Sequence, residues 1–132
     1  MHIEHIGIAV NDLNESVKKY EALLGIPARF EKIYGMEIAI LATETGKIEL
    51  LASDGPDSPI GKFLAKKGEG IHHIAINVDD VKTYLDRAAS LNVSLIDNTP
   101  KPGADDKMIA FLHPKDLNGV LLEFCMDKQI PD

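Results

Sequence analysis

One cysteine, Cys125, in 132 residues leaves no partner for an internal disulfide and too few thiolates for a Cys-rich zinc site. No apolar run approaches the about 20 residues needed to cross a bilayer. The opening Met1-His2-Ile3-Glu4-His5 has neither the basic nor the apolar region of a signal peptide, so a cytoplasmic protein with no membrane partner is expected. Cations do not cluster either: the longest Lys/Arg runs are Lys18-Lys19 and Lys66-Lys67. With 21 acidic and 14 basic residues and a net charge of −7, the chain lacks the basic face of a nucleic-acid binder. An acidic balance does not forbid an anionic small molecule, because a few local cations or a metal can reverse the field inside a pocket.

What remains is a globular composition, 45% hydrophobic and 27% charged, with room for one domain over residues 1–132. That domain repeats itself. His5-Ile6-Gly7-Ile8-Ala9-Val10-Asn11-Asp12 returns as His73-Ile74-Ala75-Ile76-Asn77-Val78-Asp79-Asp80, an offset of 68 residues. The same offset carries Leu13, Val17, Tyr20 and Leu23 onto Val81, Leu85, Ala88 and Leu91, at helical spacing. Each module reads as a strand and an amphipathic helix, with Asp12 and Asp79 or Asp80 as N-caps and Gly25 and Asn92 as stops. Three apolar stretches follow each helix: Ala28–Ile33, Met36–Ala42 and Lys47–Ala52, then Val93–Ile96, Met108–Phe111 and Val120–Cys125. Asn98–Gly103 reads as a loop, and Ser58-Pro59 starts a short helix within the linker Ser53–Gly70. The expected fold class is α+β, with two tandem βαβββ modules (about 1–55 and 69–127) joined by that helical linker.

Side chains alternate along a strand, so Ile6, Ile8 and Val10 share one face and His5, Gly7 and Ala9 the other. In the repeat, His73, Ala75 and Asn77 stand opposite Ile74, Ile76 and Val78. The bulky faces should pack on the helices, and the histidine faces carry small neighbours that leave space for a ligand. The last strand of each module places a carboxylate, Glu49 or Glu123, within apolar sequence, which is costly unless it is paired or holds a cation. A lone strand His or Glu is usually a partnered residue of the fold, but two symmetric His/Glu sets suit a divalent ion with nitrogen and oxygen ligands. His72 falls on the opposite face from His73 and reads as structural. His2 and His113 have no counterpart in the repeat, and Cys125 reads as a small core residue.

These modules resemble the vicinal oxygen chelate superfamily, and more narrowly its methylmalonyl-CoA epimerases. The supporting blocks are His5–Val10, Lys47–Leu51, Gly68–Ala75, Pro102–Ala104, Ile109–Lys115 and Gly119–Glu123, which span nearly the whole chain. The resemblance implies a cupped mixed sheet around a divalent metal (cobalt, manganese, nickel or zinc) held by His5, Glu49, His73 and Glu123. It implies an isomerase that interconverts (R)- and (S)-methylmalonyl-CoA by removing and returning the α-proton through a metal-stabilised enolate. Glu123 would be one proton carrier; Glu37 leads for the other, with Glu31 behind it. The family's second glutamate follows the turn at Gly35, and Glu37 stands near that place, one position out of register. An acyl-CoA substrate, rim lysines for its phosphates (among Lys66, Lys67, Lys101, Lys107 and Lys115) and a homodimer are implied too. The rival readings are a lyase resembling glyoxalase I and a non-catalytic small-molecule-binding member of the superfamily.

Overall fold

The computed structural model describes residues 1–128 and divides into two compact units. One is His5–His72; the other comprises Met1–Glu4 and the chain from His73 onward. In chain order the elements are β1 (His2–Ala9), α1 (Leu13–Leu24), β2 (Arg29–Ile33), β3 (Met36–Ala42), β4 (Lys47–Ser53), α2 (Pro59–Lys67), β5 (Gly70–Asn77), α3 (Val81–Ser90), β6 (Lys101–Pro102), β7 (Lys107–Leu112) and β8 (Leu122–Asp127). The α+β class and the βαβββ module follow directly, and the glyoxalase-type fold is the one expected. No helix among the described residues is long and apolar enough to cross a membrane.

In the first unit the strand order is β2-β3-β4-β1, with β1 and β4 parallel and the other pairs antiparallel. The second unit repeats the pattern as β6-β7-β8-β5, with β5 and β8 parallel. A parallel pair needs a crossover, and the helix after the first strand provides it. Tyr34 and Gly35 close the β2–β3 hairpin with φ of 53° and 72°, the left-handed pair that a tight hairpin requires.

Each helix packs on the face its apolar spacing predicts. Leu13 and Val17 of α1 join Val10, Ala39, Leu41, Leu50 and Ala52 in one core. Val81, Leu85 and Ala88 of α3 join Val78, Ala110 and Leu112 in the other. The Asp12 side chain caps α1 by accepting from the Glu15 N–H at 3.1 Å, and Gly25 ends it at φ 67°. Asp80 occupies the cap position of α3 but accepts from the Thr83 hydroxyl, not from a backbone N–H.

Three expectations need correction. Val93–Ile96 forms no strand: Val93 and Leu95 tuck against the α3 core, and only Leu95 bridges to Leu112. The strand in that slot is Lys101–Pro102, inside the stretch read as a loop, because an edge strand tolerates a proline that cannot donate to the ladder. Leu23 and Leu91, the last pair in the helical register, are exposed at 75% and 69%: Leu23 lies in the last turn of α1, and Leu91 is the C-cap of α3.

The linker helix α2 starts as Ser58-Pro59 predicted, with Ser58 Oγ accepting from the Gly61 N–H at 3.0 Å. A Cβ on Gly61 would stand 2.5 Å from the Gly55 carbonyl oxygen and 2.9 Å from Ser53 Oγ. Gly61→Ala should therefore lower stability by about 1–3 kcal/mol, the cost of overpacking, although alanine is the better helix former by about 1 kcal/mol. Urea denaturation midpoints test this, and a stabilised variant would show that the loop yields.

Candidate metal centre

The parallel register builds the same local arrangement in each unit. In the first, Gly7 of β1 is the cross-strand partner of Glu49, and His5 stands two residues earlier on the same face. His5 Nδ1 then lies 3.3 Å from Glu49 Oε2. In the second unit Ala75 of β5 partners Glu123, and His73 stands two residues earlier. His73 Nε2 lies 3.5 Å from Glu123 Oε1. The residue beside each carboxylate, Gly7 or Ala75, has little or no side chain.

All four side chains are buried, at 6%, 4%, 5% and 3% exposure for His5, Glu49, His73 and Glu123. The opposite sheet faces, carrying Ile8 with Val10 and Ile76 with Val78, pack against α1 and α3 as expected. On the outer side of the carboxylates, Ile40 is the partner of Glu49 and Phe111 the partner of Glu123. The Phe111 ring meets the His73 imidazole edge-on, with centroids 5.5 Å apart.

The donor set fits a divalent ion. Two ligand atoms about 2.1 Å from one ion, at tetrahedral or octahedral angles, stand roughly 3.0–3.4 Å apart. The His–Glu separations, 3.3 and 3.5 Å, lie at or just beyond the long end of that range and are long for a good N–H···O hydrogen bond. Imidazole nitrogen with carboxylate oxygen is also the combination that manganese, cobalt, nickel and zinc accept.

Other residues fall outside these pairs. His72 stacks edge-on against Phe63 at 4.9 Å; burial and then the Lys67 charge hold its imidazole down to about 4, so it is neutral at pH 7. His113 accepts from the Lys115 N–H at a short 3₁₀ turn, and His2 is exposed. Cys125 is fully buried beside Ala75 and Ile109, the small core role expected of it.

Glu37 needs the main correction. It partners Ala52 on β4, while Glu49 partners Ile40, so Glu37 and Glu49 point to opposite faces of the sheet. Ala39, whose small size suggested a cavity wall, lies under α1 with Leu41 and Leu50. Glu37 is on that helix side, near the end of the strand, paired with Lys32 at 3.4 Å and 40% exposed. Glu31 behaves differently. It partners Ile38, which partners Leu51, and Leu51 shares the Glu49 face. Its carboxylate lies 3.4 Å from Arg29 Nη1.

Comparison with known proteins agrees with this architecture. Residues 4–111 match the model of the glyoxalase/bleomycin resistance protein/dioxygenase superfamily. The mitochondrial methylmalonyl-CoA epimerase of Dictyostelium discoideum is 40% identical, covering 92% of this chain and 75% of its own. The ethylmalonyl-CoA/methylmalonyl-CoA epimerase of Cereibacter sphaeroides is 37% identical over 92% of this chain and 94% of its own. The chain belongs to the methylmalonyl-CoA epimerase family. A solved structure of the Streptomyces coelicolor epimerase, bound to 2-nitronate-propionyl-CoA, superposes with a TM-score of 0.92 at 35% identity, over 100% of this chain and 98% of that one. Membership in this family makes the chain an isomerase by relationship, and its divalent-metal donor set is in keeping with the superfamily.

Proposed function

We propose that this protein epimerises methylmalonyl-CoA, and that His5, Glu49, His73 and Glu123 together hold one divalent metal ion for that reaction. The observation that carries the reading is the repeated buried His–Glu pair, at equivalent register in both modules of an epimerase-family chain.

The reaction takes a proton from the carbon between a thioester and a carboxylate and returns it on the opposite side. When bound, the metal would supply a Lewis acid for the negative charge that grows on the thioester oxygen. The protein's own task is to carry protons at both faces of the planar carbon. Glu123 is one carrier, its carboxylate oxygen accepting the α-proton on one side. The second carrier is Glu31 rather than Glu37, because Glu31 shares the ligand-bearing face of its sheet and Glu37 does not. Ile38 and Ile40, on β3 between Glu31 and Glu49, are buried on that face. We also propose a homodimer, by analogy with the superfamily.

Incubation with one epimer in deuterated water should racemise it and place deuterium at the α-carbon. Glu31→Gln should cost at least about 10²-fold in turnover, within the range for a general base, with metal content intact. Glu37→Gln should turn over like the wild type. Retained stereochemistry with no deuterium refutes the reaction; a fully active Glu31→Gln refutes the carrier. Purified protein should contain about one equivalent of cobalt, manganese, nickel or zinc, and chelation should abolish activity and lower the melting temperature, since four buried donors lose their cation. Full activity in metal-free protein counts against the metal. Sedimentation at micromolar concentration should show twice the 14.4 kDa chain mass, and a monomer would overturn the dimer.

A further inference from the structure

The two His–Glu pairs differ in what stands beyond the carboxylate. Glu49 has Ile40 as its outer cross-strand partner, whereas Glu123 has Phe111. Cross-strand partners share a face, so the Phe111 ring stands on the side of the sheet that carries His73 and Glu123. There it meets the His73 imidazole nearly perpendicular, at 84°, with the ring centroids 5.5 Å apart. That angle and separation are those of a favourable aromatic pair. The ring also packs on the buried cluster of Ala75, Ile109 and Cys125. Its backbone is fixed as well. The Phe111 N–H donates to Asp97 Oδ2 at 2.9 Å, and the Phe111 carbonyl accepts from the Ile96 and Asp97 N–H groups at 3.0 and 3.2 Å. Strand β6 pairs with Met108 and Ile109, and past them the 96–97 segment takes over that edge of β7. Phe111 is thus held through both its ring and its main chain.

Filling space on this face would need no particular angle toward His73. The second torsion of a histidine is broad and roughly two-fold, so packing rather than torsional preference decides where the ring nitrogens point. An imidazole coordinates an ion only along the lone pair of one nitrogen, and the groups that fix its plane tune the affinity. We propose that Phe111 is a positioning residue for the metal centre: its ring sets the plane of His73, so that the Nε2 atom facing Glu123 is already oriented when the ion arrives. This rests on the metal reading above and names a side chain that sets the affinity of the site without touching the ion. The gain comes from an ordering cost removed in advance, not from an added contact. An aliphatic side chain in this place, as Ile40 is in the first unit, keeps the face apolar and removes the device.

The test titrates cobalt(II) into the full-length chain, stripped of metal, in competition with a chromophoric chelator. Phe111→Leu should raise the dissociation constant about 3- to 10-fold, the worth of one aromatic pair. Phe111→Tyr, which keeps the ring, should stay within about twofold of wild type. Phe124→Leu is the control for lost packing: Phe124 lies on the helix side of the same sheet, against Tyr84 with centroids 5.4 Å apart, and its loss should leave the constant unchanged. A Phe111→Leu constant within about twofold of wild type overturns the proposal. So does an equal rise in Phe124→Leu, since the ring would then act only through the stability of the fold, and so does a Phe111→Tyr constant as weak as that of Phe111→Leu. If Phe111→Leu melts below the measuring temperature, Phe111→Met, whose unbranched chain fills irregular gaps, is measured against the same criteria. A wild-type chain that binds none of cobalt, manganese, nickel and zinc refutes the metal reading; one that binds cobalt with an affinity indifferent to Phe111 refutes only this inference.

Discussion

Placing an imidazole and a carboxylate together in a nearly waterless sheet removes the hydration of both, and the mutual attraction repays that only with good geometry and further partners. Here it is done twice, with His5–Glu49 and His73–Glu123, at exposures of 6% or less. Most of the local architecture serves this constraint. The parallel pairing of first and last strand sets the carboxylate two residues from the histidine. Gly7 and Ala75 are the small residues beside the carboxylates. The helix-packed faces behind hold each imidazole within 3.5 Å of its carboxylate.

A module that must expose ligands on one sheet face and bury apolar side chains on the other has little freedom in register. Shifting one strand by a single residue would exchange the two sets. The hairpin turns guard against this. Tyr34-Gly35 takes the left-handed pair of conformations at one end of β3, and the Thr43 hydroxyl accepts from the Gly46 N–H at 3.1 Å at the other. In the second unit the corresponding turn uses Asp105 and Asp106 at positive φ, with the Gly103 N–H donating to the Lys107 carbonyl at 2.8 Å. The sequences differ, yet both turns pin the strand bearing the residue next to the carboxylate, Ile40 in one unit and Phe111 in the other.

The two units are not copies in sequence. Where the first places Ile40 beside its carboxylate, the second places Phe111, which links the Asp97–Lys101 pair to His73. Where the first has a five-residue strand β2 carrying Arg29 and Glu31, the second has only Lys101–Pro102. The repeated frame thus sets one buried His–Glu pair in each unit, while its edge strands carry different charges: Arg29 and Glu31 in one, Lys101 in the other.

Much of this was legible in the sequence, and for definite reasons. The His/Glu sets stood out because the flanking strands alternate: small or polar residues on one face, branched apolar ones on the other, repeated at one offset. The helices were legible from their spacing and from Asp12, Gly25 and Ser58-Pro59. Glu37 was misplaced because β3 has no alternation to read. Ile38, Ala39, Ile40 and Leu41 are all buried, since helix covers one face and the ligand side the other, and a continuous apolar run carries no period-2 signal. Val93–Ile96 looked like a strand because it is apolar, yet that apolarity is spent on the α3 core rather than on a ladder. Lys101 could be seen only as one of several rim lysines. Its place over Phe111 depends on which strand pairs with which across the sheet, and pairing is a long-range property that no local window contains. Composition and periodicity determined most of the elements and the two His–Glu pairs; the tertiary register alone decided which of the remaining charges share their face.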